Sequence, residues 1–208
     1  MKVALISGSP RRKGSASGLI AERIKGFLSD RAETVVIAAN KQQLSEVELK
    51  SIEESDVLVF SFPLYVDAVP SHLLSCLVQL DKLGKAKNKM IYAVVNCGFY
   101  EGIQADTALA VMKNWSTKID SDWKYGLGVG GGGAVSMILT TDVAKGPKGS
   151  VDVALKELAD NIIDGNSGEN KYVSVDMPRF LYKAAAQLGW RKAIKLNGGK
   201  TKDLSRIP

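Results

Sequence analysis

Residues 3–17 read Val-Ala-Leu-Ile-Ser-Gly-Ser-Pro-Arg-Arg-Lys-Gly-Ser-Ala-Ser. A run of strand-forming apolar residues stops at Gly8, three basic residues follow, and a helical pattern begins near Ser17. This order predicts a strand, a polar loop and a helix. In an open parallel sheet such a loop lies at the carboxyl end of a strand, and the helix behind it offers free N–H groups to an anion. The stretch therefore predicts a phosphate site.

The side chains of this loop suit an anion. Ser9, Ser15 and Ser17 can donate hydrogen bonds, Arg11 presents a charged planar fork, and Gly14 allows a ligand to approach the backbone closely. The alternative is an ordinary serine-rich helix start with solvated charges. These residues alone leave both interpretations open.

Composition limits the class of protein. The chain has 208 residues, of which 45% are hydrophobic and 24% charged, and this is typical of one substantial soluble domain. No apolar run approaches the roughly 18 residues that a membrane span needs. The two cysteines, Cys76 and Cys97, are too few for a disulfide framework, a zinc site or an iron–sulfur cluster. We therefore expect a cytoplasmic protein without a metal site.

The net charge of +6 is confined to the end of the chain. Residues 1–170 contain 19 Lys and Arg against 20 Asp and Glu, whereas residues 171–208 contain nine against two. The main part of the chain is thus not a basic surface, and we expect no nucleic-acid partner.

Five short apolar runs predict five strands, at residues 3–7, 33–38, 56–61, 90–96 and 123–129. Helical patterns separate them, and further helices are predicted at 135–141, 151–163 and 179–196. Strands that alternate with helices predict an α/β fold with a doubly wound parallel sheet, for which we expect the strand order 2-1-3-4-5. The expected domains are residues 1–170 and a basic helical extension, residues 171–208.

Unusual loops follow the later strands. Residues 62–70 are apolar and aromatic with two prolines, and residues 97–102 contain glycine and aromatic side chains. Both would share one sheet edge with the predicted phosphate loop, so that an aromatic platform would lie beside the phosphate. The glycine-rich residues 126–133 resemble a dinucleotide fingerprint, but they follow the last strand and lack a clear acidic partner, which disfavours a Rossmann dehydrogenase.

Three motifs in this order resemble those of the flavodoxin-like NAD(P)H-dependent FMN reductase family. They are Gly-Ser-Pro-Arg-Arg-Lys-Gly-Ser-Ala-Ser at 8–17, Pro-Leu-Tyr-Val at 63–66 and Asn-Cys-Gly-Phe-Tyr-Glu at 96–101. The resemblance covers roughly residues 2–165. It implies a flavodoxin-like fold, FMN as cofactor, NADH or NADPH as co-substrate, a small acceptor such as a quinone or free flavin, and a homo-oligomer.

The resemblance also implies the residues that hold FMN. Those at the phosphate would be Ser9, Arg11, Ser15, Ala16 and Ser17; those along the isoalloxazine ring Pro63, Leu64, Tyr65 and Val66; and those bordering its pyrimidine side Asn96, Cys97, Gly98, Phe99 and Tyr100. Ala16 stands where many relatives carry a hydroxyl or amide. One phosphate contact is therefore expected to be missing or to be replaced by Ser15 and Ser17. We expect Cys97 to be a small packing residue, and no side chain is assigned a catalytic role because the flavin carries the chemistry.

Three questions stay open from the sequence. A flavodoxin-type electron carrier or a non-catalytic FMN-binding protein would use the same cofactor site. The predicted helix at 179–196 would suit an anionic membrane surface, although packing on the body or on a second subunit is the more common fate of such a helix. The single histidine, His72, is interpreted as a polar residue in a first helical turn.

Overall fold

The computed structural model describes residues 1–11, 13–140 and 149–205. They form two compact units: Met1–Val175, which we call the body, and Asp176–Pro208, which we call the C-terminal unit. Residues 171–175, which were predicted as part of the extension, belong to the body, since residues 171–173 add a strand to its sheet.

The body is built on a parallel sheet of six strands in the order β2-β1-β3-β4-β5-β6. The strands are β1 Lys2–Ser7, β2 Glu33–Ala38, β3 Val57–Pro63, β4 Met90–Asn96, β5 Asp122–Val129 and β6 Lys171–Val173. The predicted order 2-1-3-4-5 is confirmed, and β6 extends it by pairing in parallel with the end of β5.

The helices follow the predicted alternation. In the body they are α1 Ala16–Leu28, α2 Glu46–Glu53, α3 Ser71–Leu83, α4 Asp106–Lys118, α5 Gly132–Thr140 and α6 Gly149–Asp164, with a 3-10 turn, Gly102–Ala105, before α4. The C-terminal unit contains α7 Arg179–Leu196 and a 3-10 turn, Thr201–Ser205. The predicted helix at 135–141 begins earlier, at Gly132, and its last residue lies outside the described residues.

The core lies on both faces of the central strands. Strands β1, β3 and β4 are buried along almost their whole length because helices cover both of their faces, and most of their residues are apolar. On one face Phe60 meets Trp115 of α4 edge to face, with ring centroids 5.5 Å apart. Local signals set the helix ends: Ser45 forms a capping box with Glu48 at the start of α2, and Gly84 ends α3 in the left-handed conformation at φ 63°.

The C-terminal unit has a different character. None of its described residues, 176–205, is buried. Helix α7 ends at Leu196 with Asn197 as its cap, and Gly198 follows at φ 77°, a common way for a helix to terminate. Across the part of the chain that the structure describes, no helix is both long and apolar enough to cross a bilayer.

Candidate functional site

The candidate site lies at the carboxyl ends of β1, β3 and β4. Chain connections leave β1 and β3 toward opposite edges of the sheet, since β1 leads to β2 and β3 leads to β4. Such a reversal leaves a crevice between the two strand ends. The register pairs Ser7 with Ser61 and Pro63 with Asn96, so that the loops leave neighbouring strands about 5 Å apart.

The first loop, residues 8–15, begins at a buried glycine, Gly8. The Gly8 N–H donates to the Ser61 carbonyl at 2.8 Å, and Nε2 of His72 donates to the Gly8 carbonyl at 3.1 Å. A Cβ on Gly8 would lie 2.5 Å from Cδ2 of Leu73 and 3.0 Å from Cβ of Phe62. The start of the loop is therefore held against β3 and the first turn of α3.

The end of the first loop caps α1. Ser15 has extended backbone, and its hydroxyl accepts a hydrogen bond from the Gly18 N–H at 3.1 Å. The N–H groups of Ala16 and Ser17 have no acceptor within the helix, because the first turn of any helix leaves its donors unpaired. Ser9 is buried and its hydroxyl accepts from the Arg11 N–H at 3.2 Å. The loop thus combines amide donors, hydroxyls and an exposed guanidinium, the donor set of a phosphate site.

Ser17 and Asn96 are bonded to each other. The Ser17 hydroxyl donates to Oδ1 of Asn96 at 2.7 Å, and both residues are buried. The Ser61 hydroxyl donates to the Ser17 carbonyl at 3.0 Å. Both hydroxyls are therefore used inside the protein, and Ser17 can offer an anion its N–H only. The pair also ties the start of α1 to the end of β4.

The second loop, residues 64–70, forms a tight hairpin. Tyr65 and Ala68 exchange both backbone hydrogen bonds, at 3.1 and 3.0 Å, around Val66 and Asp67. Those two residues have φ of 49° and 56°, the left-handed conformation that type I′ turns require and that Asn-Gly usually supplies. For a β-branched residue such as Val66 this backbone is strained. Val66 is 98% exposed, and Tyr65 beside it is exposed as well.

Relieving this strain is expected to stabilise the body. The double replacement Val66→Asn with Asp67→Gly should raise the free energy of unfolding by about 1–2 kcal/mol, because the new residues adopt left-handed backbone at lower cost. Urea unfolding measures the change. Val66→Ala is the matched control, since it shortens the side chain but keeps a Cβ at the same φ. An unchanged midpoint for the double variant would show that the turn is not strained.

The third loop, residues 97–101, is held by hydrogen bonds to β5 and the glycines after it. The Cys97 N–H donates to the Val129 carbonyl at 2.9 Å, the Gly132 N–H donates to the Cys97 carbonyl at 2.7 Å, and the Gly131 N–H donates to the Phe99 carbonyl at 2.6 Å. These contacts explain the glycine run at 126–133. At Gly130 and Gly132 a Cβ would lie 2.1 Å from the Tyr100 carbonyl oxygen and 2.6 Å from the Cys97 carbonyl oxygen, so these two glycines make room for the backbone of the third loop.

Cys97 is 1% exposed, and its thiol faces the carbonyls of Phe99 and Glu101. Burial raises the pKa of the Cys97 thiol above its ordinary value, so that the thiol stays protonated at neutral pH. This agrees with a packing role. By contrast Gly98 and Phe99 are exposed, and Tyr100 is half-buried.

The predicted site residues therefore divide into two groups. The partly or fully exposed ones are Arg11, Ala16, Pro63, Leu64, Tyr65, Val66, Gly98, Phe99 and Tyr100. Ser9 and Ser15 are buried, and their hydroxyls accept hydrogen bonds from backbone N–H groups of the first loop and of α1. The side chains of Ser17, Asn96 and Cys97 bond or pack inside the protein. Two supporting residues, His72 and Ser61, were not predicted as part of the site. The only sequence signal was their place at the end of β3 and at the start of the helix after the aromatic loop.

Comparisons with known proteins identify the fold. No protein-family model matches the sequence, and no curated protein matches it either. Among solved structures, a flavodoxin, WrbA-like protein from Agrobacterium tumefaciens superposes with a TM-score of 0.55 at 13% identity and covers 80% of this chain and 99% of its own. The chain has the flavodoxin-like fold.

Other structures with the flavodoxin-like fold belong to proteins with different names. An NADPH-quinone reductase from P. pentosaceus has a TM-score of 0.54 at 14% identity, covering 78% of this chain and 98% of its own. A flavone reductase has a TM-score of 0.61 at 12% identity, covering 81% of this chain and 66% of its own. At such identities the likeness concerns the flavodoxin-like fold alone, and the activities belong to those proteins.

FMN has a phosphate at one end and a planar ring at the other. A phosphate needs the amide, hydroxyl and guanidinium donors that the first loop provides. A planar ring needs exposed apolar surface beside that loop, and Tyr65 and Phe99 provide it on the loops after the next two strands. The donor set and the neighbouring apolar side chains thus fit the two ends of this cofactor.

Proposed function

We propose that the protein is an FMN-dependent oxidoreductase that takes hydride from NADH or NADPH and passes electrons to a small acceptor such as a quinone or free flavin. One observation carries the proposal: a phosphate-type donor loop and a strained aromatic hairpin leave neighbouring strands where the connections reverse. A phosphate joined to a large planar ring matches that pair of surfaces. The resemblance of the three motifs to FMN reductases supports the same assignment.

In this proposal each loop binds one part of the cofactor. Arg11, Ser9, Ser15 and the N–H groups at the start of α1 hold the phosphate. Tyr65 and Val66 lie along the ring from the hairpin, and Gly98 and Phe99 border it from the third loop. The hydrogen bond between the buried side chains of Ser17 and Asn96 fixes the first and third loops relative to each other.

The bound flavin supplies the redox chemistry, since its ring accepts hydride from a nicotinamide and gives up electrons to an acceptor. The residues of the chain bind and orient, and no side chain has to act as acid, base or nucleophile. The buried, protonated Cys97 stays outside the electron path.

A flavodoxin-type electron carrier is the second candidate. Flavodoxins occur among the structural neighbours, for example the flavodoxin from Streptococcus pneumoniae with a TM-score of 0.55 at 11% identity, covering 79% of this chain and 99% of its own. A carrier would hold FMN at the same loops but would not react with a nicotinamide.

One experiment separates these candidates. The purified protein is reconstituted with FMN, its visible spectrum is recorded, and NADH or NADPH is added without oxygen. We expect a bound-flavin spectrum that one of the nucleotides bleaches. A bound flavin that dithionite bleaches but neither nucleotide does would favour the carrier. If no flavin is retained, the cofactor assignment is wrong.

His72 offers a further test, because it supports the first loop without contacting the ligand. His72→Leu removes the donor to the Gly8 carbonyl and is expected to weaken FMN binding about fivefold, the size of one neutral hydrogen bond. Binding of riboflavin, which lacks the phosphate, should change little. Fluorescence titration with both flavins gives the ratio.

His72→Gln is the matched control, since its amide can still donate to that carbonyl and should restore most of the FMN affinity. If the leucine and glutamine variants bind FMN equally well, the hydrogen bond to Gly8 does not position the loop.

A further inference from the structure

Helix α7 presents an exposed face of unusual composition. At 3.6 residues per turn, one arc of about 120° contains seven residues, and all seven are exposed. Along the helix, the earlier residues of this arc are apolar: Phe180, Leu181, Ala184 and Leu188. The half-buried residues of the helix, Tyr182, Ala186, Ala193 and Ile194, all lie on the opposite side.

The later residues of the same arc are basic, and they are Arg191, Lys192 and Lys195. Within the described part of the chain none of these three has an ion pair, and α7 contains no acidic residue. The wider charge distribution agrees, because residues 176–208 contain eight Lys and Arg against two Asp, and residues 1–175 contain 20 of each sign. The whole net charge of +6 therefore belongs to the C-terminal unit.

We propose that this face of α7 docks the protein on an anionic lipid surface. Three large apolar side chains can enter the boundary between headgroups and acyl chains, while three cations a few residues further along remain at the level of the lipid phosphates. At 18 residues and about 27 Å the helix lies along such a surface, and it is not apolar enough to cross it.

Other occupants fit this face less well. A second copy of the same face would bring like charges together if the two helices were parallel, and would bury the cations against apolar side chains if they were antiparallel; both arrangements oppose association. A nucleic acid would pair with the cations but would leave Phe180, Leu181 and Leu188 in water. A lipid surface satisfies both the apolar and the basic residues of the face at once. The proposal concerns the C-terminal unit and does not depend on the function proposed for the body.

The test uses full-length protein and co-sedimentation with vesicles. We expect binding to mixed phosphatidylcholine–phosphatidylglycerol vesicles that is lost on phosphatidylcholine alone and weakened by high salt. Lys195→Gln should lower the partition coefficient about fivefold, because each cation near an anionic surface contributes about that factor. Leu188→Ser should lower it about tenfold through lost apolar burial.

The helix supplies its own matched controls. Trp190 and Leu188 are both 64% exposed, but Trp190 lies on the other side of α7, as does Lys183. Trp190→Ser and Lys183→Gln should therefore bind vesicles like the original protein. Since these exposed positions are not part of the core, all four variants should unfold at the same denaturant concentration.

Three outcomes would overturn the proposal. Absence of binding to the anionic vesicles would do so directly. Equal losses for Leu188→Ser and Trp190→Ser would show that the exposed arc is not the docking face. If duplex DNA displaces the protein from vesicles and Leu188→Ser binds as before, the basic residues serve a nucleic acid instead.

Discussion

Replacing Arg11 with alanine is expected to weaken FMN binding about 10- to 150-fold, the effect of losing one charged hydrogen bond of about 1.5–3 kcal/mol. Riboflavin binding should be nearly unchanged, because riboflavin carries the ring but no phosphate. Arg11 is exposed in the first loop, so that its guanidinium is available to a ligand. The backbone N–H of Arg11 donates to the Ser9 hydroxyl, which holds this part of the loop. Fluorescence titration with both flavins gives the two dissociation constants.

Lys13→Ala is the control for the general positive potential of the loop, since Lys13 is exposed two residues further along. We expect a loss of less than fivefold for FMN, because a flexible ammonium lacks the planar fork that pairs with a phosphate. Equal losses for FMN and riboflavin in Arg11→Ala would place Arg11 away from the phosphate and contradict its proposed role.

Gly130→Ala is expected to destabilise the body by about 3 kcal/mol. A Cβ at this position would lie 2.1 Å from the Tyr100 carbonyl oxygen and 2.7 Å from the Gly102 nitrogen. Both neighbours are backbone atoms and cannot rotate away, so β5 and the third loop must separate. Urea unfolding measures the loss of stability, and soluble yield at low temperature reports a variant too unstable to purify.

Gly133→Ala is the matched control three residues away. A Cβ there meets nothing within 4 Å, and the residue lies in the first turn of α5, where alanine is favoured over glycine. We expect this variant to be as stable as the original or slightly more so. Similar stability for the two alanine variants would mean that the third loop and β5 are not packed as closely as the structure has them.

Sequence patterns predicted the sheet well for a physical reason. Strands β2 and β4 and helix α7 have the bounds that the sequence indicated, because each has a clear apolar run or period with a turn signal at its end. The alternation of strands with helices and the handedness of their connections indicate a doubly wound parallel sheet, and the order of the first five strands is the one that the resemblance to flavodoxin-like proteins implies.

The parts that were missed lack a local signal. Strand β6 has three residues, none of them buried, and the sequence indicates only a possible extended segment at 172–175; the pairing with β5 defines it as a strand. Helix α5 begins at Gly132, three residues before the predicted start, because Gly131 at φ 85° turns the chain and its carbonyl accepts from Ala134 and Val135. Consecutive glycines do not indicate a helix, because glycine has a low helix propensity.

The site shows the same limit at the level of side chains. The motifs located three loops at one edge of the sheet, but the bond between Ser17 and Asn96 joins residues 79 positions apart and has no signature in either motif. The role of the glycine run likewise depends on contacts with a loop about 30 residues earlier. The use of NADH or NADPH, a small acceptor and a homo-oligomer stay predictions.

Gly131 and Gly132 donate hydrogen bonds to the third loop, and they lie close to β6 at the edge of the sheet. We therefore expect the time for which a flavin stays bound to depend on that edge. Val175, just after β6, packs against Gly131, and the Gly130 N–H donates to the Val173 carbonyl at 2.8 Å. Transient opening of that edge would release the third loop and with it one wall of the crevice. Hydrogen exchange in residues 127–132 should therefore slow when flavin binds, and a looser β6 should shorten the time for which the flavin stays bound.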